Sequence, residues 1–426
     1  MTAEIAIMNK NAVALAADSA VTIGYGEKLK IYNTNKLFVL SKYHPVGVMI
    51  YGNAELLGVS WETAIKSYRE ILGSNPFDTV EEYGKNFIDF LETNRTLFPE
   101  PEQDGWVHRR IFQGLGIIRK KIDDEVEVVI HKNRQINEQE LKGIIKEAIE
   151  KAHAMVLTKD DLPLASKNLS DEINRKYGEF IRKIINQVFQ KLPITRALKN
   201  KLKNLCQNLL FKDVSLGNQS GLVIAGFGEK DFFPSLISFE IDGIVCDKLK
   251  YKIADNQKMS WQERAIVFPF AQSEMVHTFM QGIDPNLQIV LNSYLSKLFN
   301  EYYPEQISQA FPTSTTSRQI IKKKLKNVGD VLVKDLMATI EKHKRERNVD
   351  PVLDAVEFLP KEELASMAEA LVNLTSFKRR VTLDAETVGG PIDVAVISKG
   401  DGFIWVKRKH YFEIDINPQF RANYYR

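Results

Sequence analysis

The chain has almost no cysteine. Cys206 and Cys246 are the only two in 426 residues, far apart and in no metal-ligand spacing. That argues against a disulfide framework and for a reducing, cytoplasmic setting in which both are small packing residues. Long apolar runs are missing as well, none approaching the roughly 20 residues needed to span a bilayer. Glu4, Asn9, Lys10 and Asn11 interrupt the start before a secretory apolar core could form. Excess charge is also absent: 58 basic against 55 acidic residues leave +3, which makes no overall case for nucleic acid or anionic membrane. The seven histidines, His108, His131, His153 and His277 among them, show no paired ligand spacing, so no metal and no other cofactor is expected. No phosphate-binding glycine loop stands out; Gly226-Phe227-Gly228 leads into Lys230 and Asp231 and reads as a hairpin turn. There is no repeat of fixed period.

What is present is a globular composition, 44% hydrophobic and 27% charged. The length suits two or three domains, or one domain with large insertions. Glu4–Asn9, Ala12–Asp18, Lys36–Leu40 and Val46–Tyr51 read as strands, two hairpins in quick succession. Helical spacing starts at Ala54 and stops at Gly73-Ser74-Asn75-Pro76; a second helix over Val80–Leu91 has Thr79 as its N-cap. Amphipathic helices are expected over Glu138–Ala154 and Ser170–Leu192, then strands over Gly221–Gly226 and Ser235–Ile241. A basic helical tract follows from about 274 to 350, then a helix over Pro360–Leu374 and strands over Pro391–Ser398 and Gly402–Lys407. This order of strands, helices, strands, helices, strands fits an α+β class with two antiparallel sheets covered by helices.

Position two has chemical interest. Thr2 is small enough for methionine aminopeptidases to release Met1, which would leave a hydroxyl and a free α-amine on one residue. An α-amine with pKa near ~8 is partly neutral at pH 7 and can take its own hydroxyl's proton. Met-Thr alone is common and carries no weight; the surrounding residues do.

Thr2-Ala3-Glu4-Ile5-Ala6-Ile7 and Ala12-Val13-Ala14-Leu15-Ala16-Ala17-Asp18-Ser19-Ala20-Val21-Thr22 resemble the start of a mature proteasome β subunit, with Asp18 sixteen residues after Thr2. Asn35-Lys36-Leu37-Phe38 resembles that family's lysine strand. Gly47-Val48-Met49-Ile50-Tyr51-Gly52-Asn53-Ala54 is similar to its apolar strand and helix entry. Far downstream, Gly389-Gly390-Pro391-Ile392-Asp393-Val394-Ala395-Val396-Ile397 and Lys399-Gly400-Asp401-Gly402-Phe403 resemble its late strand and hairpin, and Leu359–Arg380 the helix before them. The likeness covers roughly 1–100, 215–280 and 355–410.

The resemblance, to proteasome β-subunit-like N-terminal-nucleophile hydrolases of bacterial or archaeal type, implies a four-layer αββα sandwich. Core segments would be 1–125, 216–280 and 356–426, with helical insertions at 126–215 and 281–355. It implies Thr2 as nucleophile, Lys36 as the cation that lowers the pKa of hydroxyl and amine, and Asp18 as the lysine's partner. It places an oxyanion donor in the backbone around Met49, where the family usually has Gly, and a substrate pocket at Val21, Gly47 and Tyr51. Supporting roles fall on Ser273, displaced by about two residues, and on Asp384, one residue early; Val388 stands where the family has Ser, with Glu386 or Thr387 as substitutes. A peptide or unfolded-protein substrate and a homo-oligomer, in the family a ring, are implied too. Three alternatives stay open: a small-molecule amide hydrolase of this fold, a non-catalytic scaffold that keeps Met1, and nucleic-acid binding through the basic tracts at 175–204 and 318–347.

Overall fold

The computed structural model describes residues 2–23, 30–133, 135–310, 314–382 and 389–424. Its first hairpin is β1 (Ala3–Met8) and β2 (Ala12–Ala17), buried along their whole length. Asn9 holds the turn: its Oδ1 accepts from the amides of Asn11 and Ala12, and its side-chain amide donates to the carbonyls of Val356 and Leu359. A small hairpin, β3 (Ala20–Ile23) and β4 (Lys30–Asn33), precedes β5 (Leu37–Val39) and β6 (Val46–Gly52).

The helix expected from Ala54 begins later. β7 (Glu55–Leu56) and β8 (Val59–Ser60) first turn through Leu57 and Gly58, both at positive φ (50° and 83°). Leu56 points inward in this hairpin and so imitates one turn of helical spacing. Then α1 (Trp61–Leu72) starts at Ser60, whose hydroxyl accepts from the Thr63 amide, and ends at Gly73. Helix α2 (Val80–Thr93) starts at Thr79, whose side chain accepts from the Glu82 amide.

Four helices follow: α3 (Glu100–Asn133), α4 (Glu138–Leu157), α5 (Lys167–Val188) and α6 (Arg196–Phe211). They carry a core of their own, with Val107, Ile111, Leu115 and Ile122 of α3 against Ile149, Ile173, Ile181 and Leu202. The helical segment therefore begins well before residue 126. Gly105, Gly114 and Gly116 dilute the apolar period of α3, and Gly114 has a packing reason: a Cβ there would lie 2.4 Å from Leu209 of α6.

Strands β9 (Ser220–Gly226), β10 (Ser235–Val245), β11 (Lys248–Lys258) and β12 (Ile266–Ala271) come next, the last two not anticipated. The second helical tract is α7 (Glu274–Gln281), α8 (Pro285–Lys297), α9 (Tyr303–Ala310), α10 (Thr315–Lys344) and α11 (Asp350–Phe358), with π-type turns over Leu298–Tyr302 and Arg345–Val349. Helix α12 (Lys361–Val381), β13 (Asp393–Ser398), β14 (Gly402–Lys407) and α13 (Pro418–Tyr424) complete the chain.

The fold is α+β with two five-stranded sheets, ordered β12-β1-β2-β13-β14 and β11-β10-β9-β6-β5, and every registered pair is antiparallel. The chain divides into two compact units, Met1–Leu37 with Met259–Arg426, and Phe38–Lys258. In the first, Ala3, Ile5 and Ile7 of β1 and Ala12, Ala14 and Ala16 of β2 face Leu364, Ala365, Ala368 and Leu371 of α12. The strand period of two puts Thr2 and Glu4 on the opposite face. In the second, Val48, Ile50, Leu222, Ile224 and Phe239 pack on Trp61, Ile65, Tyr83 and Phe87 of α1 and α2. Among the described residues no helix is long and apolar enough to cross a membrane.

A buried ionic cluster joins the four-helix part to the second sheet. Asp242 of β10 meets Arg110 of α3 at 2.5 Å and Lys250 of β11 at 3.0 Å. Two cations share one carboxylate, and the surplus charge falls on carbonyls: Lys250 Nζ donates to Leu209 at 2.8 Å and Val214 at 3.3 Å, where α6 ends. Burial pulls the Lys250 pKa down to about 8, against the pull of Asp242. Replacing Asp242 by Asn strands two buried cations. We expect a loss of about 3–5 kcal/mol in urea-induced unfolding of this unit; an unchanged midpoint would contradict the cluster's structural role.

Candidate active site around Thr2

Thr2 immediately precedes β1, which lies between β2 and β12. Its carbonyl accepts from the Gln272 amide at 3.1 Å, and the Gln272 side chain accepts from Arg379 of α12 at 2.6 Å. Asp18 immediately follows β2. The hairpin register that sets Glu4 opposite Ala17 brings it back beside the start of β1, where the Asp18 amide donates to the Ala3 carbonyl.

Asp18 is saturated by donors. Its Oδ1 accepts from the Ala3 amide at 3.1 Å and from Lys36 Nζ at 2.6 Å, and its Oδ2 from the amides of Ala20 at 3.3 Å and Gly389 at 3.0 Å. Lys36 Nζ donates to Asp18, to the Ala20 carbonyl at 2.7 Å and to Thr2 Oγ1 at 3.2 Å. An ammonium has three hydrogens and no lone pair, so these three acceptors account for all of them. Thr2 Oγ1 therefore receives a hydrogen from Lys36, and its own proton is directed elsewhere. Thr2, Asp18 and Lys36 are each no more than 3% exposed, so the lysine's field acts on the hydroxyl with little solvent between them.

The distant glycine pair closes this arrangement. The Gly389 carbonyl accepts from the amides of Ser19 and Ala20 at 3.2 and 3.0 Å, and the Ser19 hydroxyl donates to the Pro391 carbonyl. Gly390 is at φ +76°, and a Cβ there would meet Asn33 Oδ1 at 2.6 Å. Only glycine lets this segment lie against the turn after β2.

The other sequence-predicted residues fall in different places. Val21 is half-buried in β3, opposite Tyr32. Ser273 follows Gln272 and stands at the N-cap position of α7 without a side-chain capping bond, just beyond Ala271 at φ 59°. Asp384 lies outside the described residues, as do Glu386, Thr387 and Val388. Gly47, Met49 and Tyr51 belong to the second unit; they share the face of β6 opposite Val48 and Ile50. There the Tyr51 ring covers Gly221 of β9, where a Cβ would lie 1.9 Å from it.

Sequence reasoning missed three participants: the Ala20 carbonyl, the Gly389 amide and Glu4. The first two are backbone groups with no residue-type signature. Glu4 had one, an acid on an otherwise apolar strand. It is 1% exposed, and neither carboxylate oxygen has a hydrogen-bond partner among the described residues. Burial raises its pKa well above the ordinary value, with Lys36 opposing the rise and Asp18 adding to it.

No protein-family model matches the sequence, and no curated protein matches it significantly.

Two outcomes follow from this geometry. In Asp18→Asn the new amide group would face two backbone N–H donors, from Ala20 and Gly389, and Lys36 would lose its counter-ion. The expected cost is about 3–5 kcal/mol in chemical denaturation, and a variant as stable as wild type would refute the cluster. Glu4→Gln should change the pH dependence of stability. A carboxyl raised on folding stabilises fully below its unfolded pKa, and that contribution is lost as pH rises towards the folded pKa. Glu4→Gln should therefore gain on wild type as pH rises above about 4.5, read as thermal midpoints across pH; a pH-independent difference would contradict a buried neutral acid.

Proposed function

We propose that this chain is an amide hydrolase of the N-terminal-nucleophile type, a proteasome β-subunit-like threonine peptidase with a four-layer αββα core. The carrying observation is Lys36 Nζ, held by Asp18 and the Ala20 carbonyl and donating to Thr2 Oγ1. A threonine hydroxyl is a weak nucleophile at neutral pH. A fixed, buried positive charge 3.2 Å from its oxygen lowers the cost of forming the alkoxide.

With Met1 in place the Thr2 nitrogen is an amide and accepts no proton; with Met1 removed it is an amine beside the hydroxyl. In the proposed cycle the amine takes the Oγ1 proton as Oγ1 attacks the substrate carbonyl carbon. It then gives that proton to the departing amine nitrogen as the C–N bond breaks. Thr2 is left as an ester. Water attacks the ester carbonyl, its proton passing through the amine back to Oγ1, and the acid leaves. The net change is amide plus water to acid plus amine. The resemblance assigns the oxyanion's donor to the backbone around Met49, and it brings with it a peptide or unfolded-protein substrate and self-association. Nucleic-acid binding gains no support from the 175–204 tract, since Lys176 pairs with Glu100 and Asp104 and Lys201 with Glu150.

A panel of fluorogenic peptides and small acyl amides tests the reading. Thr2→Ala should lower turnover about a thousand-fold or more in a chain that still folds, at a cost of about 1–3 kcal/mol for the Lys36 hydrogen left without its acceptor, and Thr2→Ser should retain turnover. Intact-mass measurement of the active protein should find Met1 absent. Turnover undiminished by Thr2→Ala, or confined to molecules that keep Met1, would refute it.

A further inference from the structure

Glu4 is the one charged residue type on β1, and the proposed cycle does not use it. It lies two residues along the strand from Thr2 and so on the same face of the sheet. Its cross-strand neighbours are Phe270 of β12 and Ala17 of β2, neither of which offers a side-chain donor. Next in that row is Asp393 of β13, opposite Ala17, and Lys409 takes up its charge through Nζ at 2.5 Å. Among the described residues, the charged groups that act on Glu4 through space are Lys36 and Asp18, the two that hold Thr2.

An ionised carboxylate buried without a hydrogen-bond donor is far costlier than the neutral acid. Lys36 does not relieve that cost, because its three hydrogens are committed to Asp18, Ala20 and Thr2. Glu4 therefore rests as a carboxylic acid, and among the described residues Asp18 alone balances Lys36. An ionised Glu4 would place a second negative charge beside the lysine. The lysine would hold its proton more tightly, and the net positive field at Thr2 Oγ1, which favours the alkoxide, would shrink.

We propose that Glu4 is a positioning residue of the Thr2 site: its uncharged carboxyl leaves Lys36 with a single counter-ion, and release of its proton to solvent weakens the lysine's action on the nucleophile. The proposal rests on the reading of Thr2 as nucleophile. It adds that Thr2 reactivity has an alkaline limit set by Glu4.

The test compares wild type with Glu4→Gln, which keeps the shape and neutrality of the acid but cannot ionise. Two readouts are needed, one blind to Thr2 chemistry. The first is the titration of the Lys36 amine by ¹⁵N NMR. The second is the rate at which a β-lactone acylates Thr2 as a function of pH. We expect the Lys36 titration in Glu4→Gln to fall by about one pH unit or more relative to wild type, and the alkaline decline of acylation that Glu4 sets in wild type to be absent from Glu4→Gln until Lys36 itself loses its proton. The carboxyl ¹³C signal of Glu4 in wild type, which needs no variant, should be that of the protonated acid at neutral pH. An unshifted Lys36 titration, or an ionised Glu4 at neutral pH, overturns the proposal whatever Thr2 does. Acylation whose pH profile is the same in both proteins overturns it while the hydrolase reading survives. A shifted Lys36 titration with no acylation of Thr2 at any pH supports the Glu4–Lys36 coupling and overturns the hydrolase reading instead.

Discussion

The first unit is organised around one buried ion pair, Lys36 with Asp18 at 2.6 Å. A lone buried ammonium or carboxylate would be intolerable, and each ion here is also met by backbone groups. Asp18 takes amides from three separate places: Ala3 at the head of β1, Ala20 at the head of β3, and Gly389 ahead of β13. Those segments are far apart in sequence, so the carboxylate helps fix where each one starts. The same pair orients the Lys36 Nζ that reaches Thr2 Oγ1. In the proposed hydrolase, structural and chemical demands converge on these two side chains.

The pattern is one of cations shared between carboxylates and carbonyls. In the second unit, Lys250 sits between Asp242 and the carbonyls of Leu209 and Val214, and in the first, Lys36 sits between Asp18 and the Ala20 carbonyl. What separates the two is the remaining acceptor. Around Lys250 the donors end on carbonyls, which are inert. Around Lys36 one donor ends on a hydroxyl, which can react. Burial and charge are alike in the two clusters; the last acceptor is where they differ, and the proposed function rests on that difference.

How much of this could be read from the chain depends on range. The expected Thr2, Asp18 and Lys36 come together because the β1–β2 hairpin register converts a fixed spacing into a fixed position. The strands at β1, β2, β6, β13 and β14 were legible from alternation or short apolar runs. Strand β11 was not: it is an edge strand rich in Lys, Asp and Asn, and its outward positions hide the pattern. Helix α3 was lost to its glycines, and the β7–β8 hairpin was mistaken for a helix start because Leu56 falls at helical spacing. Glu4 escaped because strand alternation invites the reading that a charged residue faces solvent. Only the buried position of β1 between two neighbours reverses that inference.

That same position of β1 bears on the proposed use of Thr2 as a reactive chain terminus. Ends of chains fray, and a nucleophile on a fraying end would spend most of its time out of register. Here the bonds that hold Thr2 run through its carbonyl, to Gln272, and through its hydroxyl, to Lys36, while the next residue is clamped by Asp18. Among the described residues, none of these bonds uses the Thr2 nitrogen. In the proposed hydrolase, cutting the chain just before this residue leaves these bonds in place, so exposing the amine need not loosen the hydroxyl beside it.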